Sequence, residues 1–142
     1  MLENKLNNIN ITNLNSIEAI GGNVMHILKS NESSFRGYGE AYFSWVNSGF
    51  IKGWKLHKEM TLNIVVPIGC IKFVFFDKNH MNDFKIVIIG ENDYSRVTVP
   101  PNIWFAFKGM SAQPSLLINI ANIIHNENEV LRKEINEINF KW

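Results

Sequence analysis

Two side chains that can exchange protons stand two positions apart in the segment Lys52–Met60, KGWKLHKEM. Successive side chains of a β-strand point to opposite faces, so Lys55 and His57 would share one face. Histidine titrates near neutrality and suits general acid or base work, whereas a lysine acts as a base only if burial or nearby cations such as Lys58 lower its pKa. The alternative is a histidine hydrogen-bonded inside the fold for structural reasons.

The histidine spacing does not predict a metal site. A metal-dependent site in a β-barrel needs about three imidazoles and a carboxylate that converge on one point. Here Lys55 stands where a histidine paired with His57 would be, and the other three histidines, His26, His80 and His125, lie in separate segments. We therefore expect no metal and no cofactor.

Composition excludes several classes of partner. The 14 basic and 13 acidic residues give a net charge of +1, without a Lys/Arg run that could follow a nucleic-acid backbone. Cys70 is the single cysteine, so an intramolecular disulfide is impossible and a reducing compartment is favoured. The sequence shows no secretion signal and no apolar stretch of the roughly 20 residues that span a bilayer, so we expect a cytoplasmic protein.

The elements that must position Lys55 and His57 are predicted to be short strands. Runs rich in β-branched and aromatic residues recur about every ten positions and are separated by turn residues, which indicates an all-β sandwich or barrel. The predicted strands are Val24–Leu28, Ala41–Val46, Phe50–His57, Thr61–Val66, Ile71–Phe76, Phe84–Ile89, Arg96–Val99, Ile103–Phe107 and Leu116–Ala121.

The two ends of the chain give weaker signals. Only Glu127–Ile138 has a helical composition, and its incomplete apolar stripe predicts a short helix or an extended tail. Residues 1–15 are rich in Asn and predict a loosely held arm that would pair when a partner subunit supplies a strand edge, with order beginning near Asn23. Residues 1–142 are expected to form a single domain.

Three blocks of the sequence resemble the dTDP-4-dehydrorhamnose 3,5-epimerase family. The most specific is KGWKLHKEMTLN with the PIG and IKFVFFD segments that follow it. The blocks are Gly22–Leu28 with Tyr38–Gly49, Lys52–Asn63 with Pro67–Gly69 and Ile71–Asp77, and Val99–Gly109 with Leu116–Asn119 and Asn128–Trp142. Their order and spacing match the family over most of the chain from residue 22 onward.

The resemblance implies a cupin-type jelly-roll barrel, commonly a homodimer. It further implies that the barrel mouth receives a nucleotide-linked 4-keto sugar, such as a dTDP-4-keto-deoxy sugar, during surface-polysaccharide biosynthesis. Epimerisation beside a ketone needs a base, a group that stabilises the enolate oxygen, and an acid.

The chain departs from the family at each position that carries this chemistry. The family's base falls at Lys55, its tyrosine acid at about Ile118, its lysine near Leu62, and a further histidine at Phe105. Isoleucine and leucine have no proton to titrate, so they cannot replace the acid or the lysine. Lys55 and His57 are therefore the candidate catalytic residues.

Substrate-binding candidates follow from the same alignment and from the aromatic residues. Lys52 stands where the family directs a basic residue at the nucleotide diphosphate, although it could equally be a solvated lysine at a strand end. The tryptophans and phenylalanines could stack on a base or a sugar face, but such residues more often form core. The candidate set is Lys52, Trp54, Tyr42, Asn63, Trp104, Phe105 and Asn119.

Three functions are compatible with these residues. The chain could be a nucleotide-sugar 3,5-epimerase, or a 3-epimerase or ketoisomerase, in which Lys55 and His57 divide the acid and base roles. It could instead be a non-catalytic nucleotide-sugar binding protein, or a structural dimer with a filled barrel. Retained motifs favour the first two, while the loss of several chemical positions favours binding over catalysis.

Overall fold

The computed structural model describes residues 3–142, and nearly all of its regular structure is β-strand. The strands are β1 (Asn10–Asn13), β2 (Ser16–Ile17), β3 (Val24–Met25), β4 (Glu40–Val46), β5 (Ile51–His57), β6 (Leu62–Ile68), β7 (Cys70–Phe76), β8 (Phe84–Gly90), β9 (Ser95–Val99), β10 (Trp104–Gly109), β11 (Ser115–Ala121) and β12 (Val130–Arg132). Each of the nine predicted runs overlaps one of these strands.

Two five-stranded antiparallel sheets face each other. The first has the order β1-β9-β6-β11-β4, and the second has the order β12-β5-β10-β7-β8. Apolar side chains from both sheets, including Ile64, Phe73 and Phe105, fill the space between them. The predicted all-β class and cupin-type jelly-roll architecture are thereby confirmed.

A second apolar cluster covers the outer side of the second sheet. On β10, Phe105 belongs to the core between the sheets, while Trp104 and Ala106 belong to the outer cluster, as strand alternation requires. Trp54 also packs in this cluster, and the chain's end covers it with Phe140 and Trp142. The covering tail is needed because a sheet face this apolar is not stable in contact with water.

The C-terminal tail is extended rather than helical. It consists of a 3₁₀ turn at Glu127–Glu129, strand β12, and a second 3₁₀ turn at Ile135–Glu137. Of the two forms predicted for this region, the extended one is observed, because β12 adds to the edge of β5. Within residues 3–142, the helical segments are too short and too polar to cross a membrane.

The N-terminal segment is held more firmly than its Asn-rich composition indicates. A 3₁₀ turn at Lys5–Asn8 buries Leu6, and strand β1 pairs with β9 of the same chain. Ile9 is also buried in the core between the sheets. Two apolar anchors and an available sheet edge therefore order a segment expected to be loose, and pairing begins at residue 10 rather than near Asn23. Met1 and Leu2 lie outside the described residues.

Candidate functional site

A cavity of about 460 Å³ opens between the two sheets, a volume typical of small-molecule sites. Its floor is apolar, and its polar side chains converge from strands of both sheets and from the C-terminal tail. The polar and charged residues that line it are Glu40, Tyr42, Ser44, Lys52, Lys55, His57, Asn119, His125, Arg132, Lys133 and Glu134.

A β-bulge in β5 brings Lys52 to the same face as Lys55. Phe105 pairs with Lys55 and Phe107 with Lys52, so Ala106 alone opposes the two residues Gly53 and Trp54. In a regular strand, residues three apart point to opposite faces. The extra residue of the bulge shifts the alternation by one position, so that Lys52 and Lys55 point to the same face. Lys52 and Lys55 consequently both line the cavity. Trp54, next to Lys55, points to the outer cluster as ordinary alternation requires.

The bulge depends on glycine at position 53. A Cβ atom there would lie 2.4 Å from the Cβ of Ala106 and 2.7 Å from the Cδ1 of Ile135. Both contacts are far below normal van der Waals separation, so the strand and the tail can approach each other only because Gly53 has no side chain.

His57 forms a buried pair with Glu129. The Nδ1 atom of His57 lies 2.5 Å from the Oε1 atom of Glu129, and the two residues are only 6% and 4% exposed. The Oε2 atom of Glu129 accepts hydrogen bonds from the backbone N–H groups of Glu59 at 3.0 Å and Met60 at 3.3 Å. Phe105 stacks on the imidazole with a centroid separation of 6.2 Å, so one face of the imidazole ring is also packed against an aromatic side chain.

Glu129 is ionised in this arrangement. Burial alone would raise the pKa of its carboxyl, but the hydrogen bonds from His57, Glu59 and Met60 more than offset burial and hold the pKa below its ordinary value. An ionised carboxylate only accepts hydrogen bonds, so Nδ1 of His57 must carry the proton. In the neutral imidazole the Nε2 atom then carries the free lone pair, and it makes no hydrogen bond to any group within residues 3–142.

Positive charge is concentrated on the β5 and β12 side of the cavity. Lys55 pairs in register with Arg132, and the salt bridges of residues 3–142 include none made by Lys55. Desolvation, followed by the charges of Arg132 and Lys52, lowers the pKa of Lys55 below its ordinary value. Cations that repel one another in this way provide a site for an anion.

Two of these cations are held in place by neighbouring groups. Lys52 donates from Nζ to Ser44 Oγ at 3.0 Å and to the carbonyl of Trp45 at 2.7 Å, which ties β5 to β4. Arg132 makes two hydrogen bonds to the carboxylate of Glu127, at 2.6 and 3.0 Å. The hydrogen bonds from Arg132 and then His125 hold the pKa of Glu127 at about 2, so this carboxylate is charged at neutral pH.

The structure brings six of the nine sequence-predicted site residues to the cavity wall. They are Tyr42, Lys52, Lys55, His57, Phe105 and Asn119. Trp54 and Trp104 lie in the outer cluster beneath the tail, which is the core role already noted as the commoner one for such residues. Asn63 is buried on the other face of its strand, where its side chain donates to Ser34 O and accepts from Thr98 Oγ1.

Positions drawn from the alignment also divide between cavity and exterior. Leu62 lines the cavity, whereas Ile118 does not, because Leu117 and Asn119 on either side of it point inward. The alignment position of the family's tyrosine acid is therefore not only aliphatic here but also directed away from the cavity.

Glu129 and Arg132 are the candidate site residues that sequence reasoning missed. Glu129 lies 72 positions after its partner His57. Arg132 lies 77 positions after Lys55, the residue of β5 with which it pairs. The available signal was the Asn-rich segment Asn126–Arg132, which places acidic and basic groups on a short strand after a turn. Nothing in that segment indicates which strand it pairs with. Within the described part of the chain, no group of three or more His, Cys, Asp or Glu residues is placed to hold a metal.

The chain is similar in sequence and fold to proteins of a known family. The family described as FdtA: WxcM-like, C-terminal matches residues 7–141. The crystal structure of a dTDP sugar isomerase from Desulfovibrio desulfuricans G20 is 30% identical in sequence, with a TM-score of 0.89 over 100% of this chain and 95% of that one. QdtA, a sugar 3,4-ketoisomerase from Thermoanaerobacterium thermosaccharolyticum solved with TDP, shares the fold at 18% identity, with a TM-score of 0.76 over 94% of this chain and 96% of that one.

A curated relative matches over a shorter stretch. The probable low-salt glycan biosynthesis epimerase Agl13 of Haloferax volcanii is 29% identical over 84 residues, which are 56% of this chain and 54% of that protein. The match thus spans about half the length of that relative. The predicted resemblance is confirmed at two points: the fold is shared, and the similar proteins include dTDP-sugar epimerases and isomerases. The specific 3,5-epimerase activity stays a prediction.

Proposed function

Because the chain belongs to the FdtA (WxcM-like, C-terminal) family, we propose that it is an isomerase or epimerase of a dTDP-linked 4-keto-deoxy sugar. The names of the related dTDP sugar isomerase and glycan biosynthesis epimerase support this substrate class and a role in surface-polysaccharide biosynthesis. The reaction class we propose is proton abstraction from a carbon next to a ketone.

The observation that carries the proposal is the buried pair of His57 and Glu129. Its hydrogen bond fixes the imidazole with the proton on Nδ1 and the lone pair of Nε2 available, which is the state that a general base requires. Glu129 also stabilises the imidazolium that forms after proton transfer, because the carboxylate remains charged. A histidine with a purely structural role has no need of a free Nε2 on a cavity wall.

Lys55 and Lys52 are assigned to the two negative charges of such a reaction. Lys55 is the cation closest along the strand to His57 on the same face, and we assign it to the oxygen that becomes an enolate when the C–H proton leaves. Lys52 is anchored farther along β5 by Ser44 and Trp45, and we assign it to the nucleotide diphosphate. Phe105 offers an apolar surface beside the imidazole for the sugar ring.

The proposed base is tested by solvent exchange. The protein is incubated with dTDP-4-keto-6-deoxyglucose in deuterated water, and deuterium at the carbons beside the ketone is measured by mass spectrometry and NMR. We expect incorporation with the wild type and its loss by at least about 100-fold in His57→Gln, since general base catalysis contributes roughly 10²–10⁴-fold. His26→Gln, outside the cavity lining, is the matched control and should exchange at the wild-type rate.

A non-catalytic binding protein is the second candidate, and the aliphatic residues Leu62 and Ile118 favour it. They stand where the resemblance places a lysine and a tyrosine. If the wild type exchanges no deuterium but its melting temperature rises with dTDP, the protein binds the nucleotide without catalysis. If neither signal is seen, the nucleotide-sugar assignment is refuted.

We also propose that the chain functions as a homodimer. Strand β4 is an edge of the first sheet, and its outward residues Phe43 and Trp45 are 65% and 54% exposed. Aromatic side chains on an unpaired strand edge are typical of a subunit contact. Light scattering coupled to size exclusion should give a mass near 33 kDa, which is about twice the 16.4 kDa of the chain, and a monomer mass at micromolar concentration would refute the dimer.

A further inference from the structure

The segment that supplies Glu129 to the site is attached to the fold at both of its ends. We call this segment, residues 129–142, the C-terminal strap. Its first part contains β12, which pairs with β5 beside the cavity. Its last part lies on the outer face of the same sheet, where Ile138, Phe140 and Trp142 pack in the outer cluster. The strap therefore connects the cavity wall with an apolar cluster on the other side of the second sheet.

Strand pairing by itself is a weak attachment for the first part of the strap. β12 is the outermost strand of its sheet, and of its three residues only Val130 is buried. The backbone N–H of Lys58 donates to the carbonyl of Glu129 at 2.8 Å, and Trp54 and Lys133 exchange two backbone hydrogen bonds at 3.1 and 3.0 Å. The net contribution of such a bond is no larger than the cost of ordering the backbone of one residue. The pairing therefore needs support from burial elsewhere along the strap.

The burial of Glu129 does not give this support. Its carboxylate is ionised although the residue is almost completely buried, and removal of an ionised group from water costs free energy. That cost is offset only while the hydrogen bonds to the carboxylate keep their geometry. A small displacement of the strap would leave the charge buried without His57 as its partner. The strap must therefore be held by a contact that does not depend on this charge.

Phe140 and Trp142 supply such a contact at the end of the strap. The ring centroid of Trp142 lies 5.9 Å from that of Trp54 on β5. The ring of Phe140 lies 5.0 Å from Phe84 on β8, and also 5.0 Å from Trp142. The ammonium of Lys72 on β7 lies over both rings, at 5.3 and 5.9 Å from their centroids. Aromatic burial and cation–π contacts thus fix the end of the strap to three strands of the second sheet.

We propose that Phe140 and Trp142 position the base of the site: by anchoring the strap, they keep Glu129 against His57 and so fix the imidazole proton on Nδ1. The inference rests on the proposed function for the role of His57 as a base, but the contact between His57 and Glu129 is observed independently of it. The residues of 3–142 that line the cavity include neither aromatic residue. Phe140 and Trp142 are therefore positioning residues, which act from the opposite face of the sheet.

The test is the double variant Phe140→Ala, Trp142→Ala, followed by two measurements. In long-range ¹H–¹⁵N correlation spectra, His57 should change from a single form protonated on Nδ1 to a mixture of the two tautomers. Deuterium exchange with saturating dTDP-4-keto-6-deoxyglucose should slow by at least about tenfold, which is a part of the roughly 10²–10⁴-fold that general base catalysis contributes.

A conservative variant of Trp142 should restore both signals. The indole Nε1 of Trp142 is buried and has no hydrogen-bond partner within residues 3–142, so Trp142→Phe removes no hydrogen bond. Because an aromatic ring stays in the cluster, this variant should keep the proton of His57 on Nδ1 and exchange within about threefold of the wild type.

Leu6→Ala is the matched control for a general loss of stability. Leu6 is 5% exposed and packs in the core between the sheets, in the N-terminal segment and not in the strap. Its truncation should lower the melting temperature but leave the tautomer of His57 and the exchange rate unchanged. If Leu6→Ala disturbs the tautomer as much as the double variant does, the effect is a general loosening of the fold and the inference is refuted.

The remaining outcomes are equally decisive. A double variant that melts cooperatively and keeps the proton on Nδ1 refutes the inference, whether or not its exchange slows. If the double variant does not melt cooperatively, Trp142→Leu, which removes only part of the aromatic contact, is measured in its place and judged by the same spectra. If the wild type exchanges no deuterium, the proposed function fails, while the spectra still decide whether Phe140 and Trp142 hold Glu129 against His57.

Discussion

Replacing Glu129 by Gln should reverse the tautomer of His57 while leaving the fold in place. The Oε2 atom of Glu129 accepts from two backbone N–H groups and the Oε1 atom from His57. Backbone N–H groups can only donate, so the amide oxygen of a glutamine must face Glu59 and Met60. Its NH₂ group then points at Nδ1 of His57, which must become an acceptor. The imidazole proton moves to Nε2, and the lone pair of the base is lost.

The expected magnitudes separate catalysis from stability. Loss of a general base costs about 10²–10⁴-fold in rate, which corresponds to about 3–5 kcal/mol of transition-state stabilisation. All three hydrogen bonds to the side chain can form in Glu129→Gln, but each loses its charged partner and the one to His57 reverses direction. The free energy of unfolding should therefore fall by only about 1–2 kcal/mol.

Three measurements test this reasoning. Deuterium exchange with dTDP-4-keto-6-deoxyglucose gives the rate, urea unfolding gives the stability, and long-range ¹H–¹⁵N correlation spectra report which ring nitrogen of His57 carries the proton. Glu127→Gln is the matched control, because Glu127 contacts Arg132 and His125 and not His57. A Glu129→Gln variant that exchanges within about threefold of the wild type, or that keeps the proton on Nδ1, would refute the proposed role of the pair.

Three further predictions concern the bulge, the cations and the N-terminal segment. Gly53→Ala should lower the free energy of unfolding in urea by about 1–3 kcal/mol, because the added Cβ would meet Ala106 at 2.4 Å; an unchanged midpoint would contradict the packing described. Arg132→Gln removes a charge that lowers the pKa of Lys55, so that pKa should rise and the alkaline decline in exchange rate should move to higher pH. A move to lower pH would contradict the assignment of Lys55 as the cation beside the enolate. Burial opposes ionisation of Asp77, but the backbone N–H groups of Lys5 and Asn79 hold its pKa below the ordinary 3.8. The ionised carboxylate therefore stabilises the fold above about pH 4, and this contribution is lost as the pH falls through the lowered pKa. In acid titrations followed by circular dichroism, Asp77→Asn should be less stable than the wild type at pH 7, with a difference that shrinks toward pH 2.

The amino-acid sequence by itself determined the strands and the class of the fold. Strand-forming composition and the turn residues that bound it are local properties, so each predicted run from Ala41–Val46 to Leu116–Ala121 overlaps an observed strand. The alternation of side chains along a strand is also local; it placed Lys55 and His57 on one face, and both line the cavity. The resemblance of the KGWKLHKEM segment to sugar epimerases predicted the class of proteins to which comparison then showed the chain to be similar.

Only the tertiary structure decided how the site is completed. The bulge at Gly53 reverses the phase of β5, so Lys52 joins Lys55 inside, and alternation alone could not reveal this. Trp54, next to Lys55, lies in the outer cluster as alternation requires. Glu129 meets His57 across 72 positions because β12 adds to the edge of β5. Such pairing depends on which edge remains free once the other strands have assembled, and this is a property of the whole fold and not of either segment.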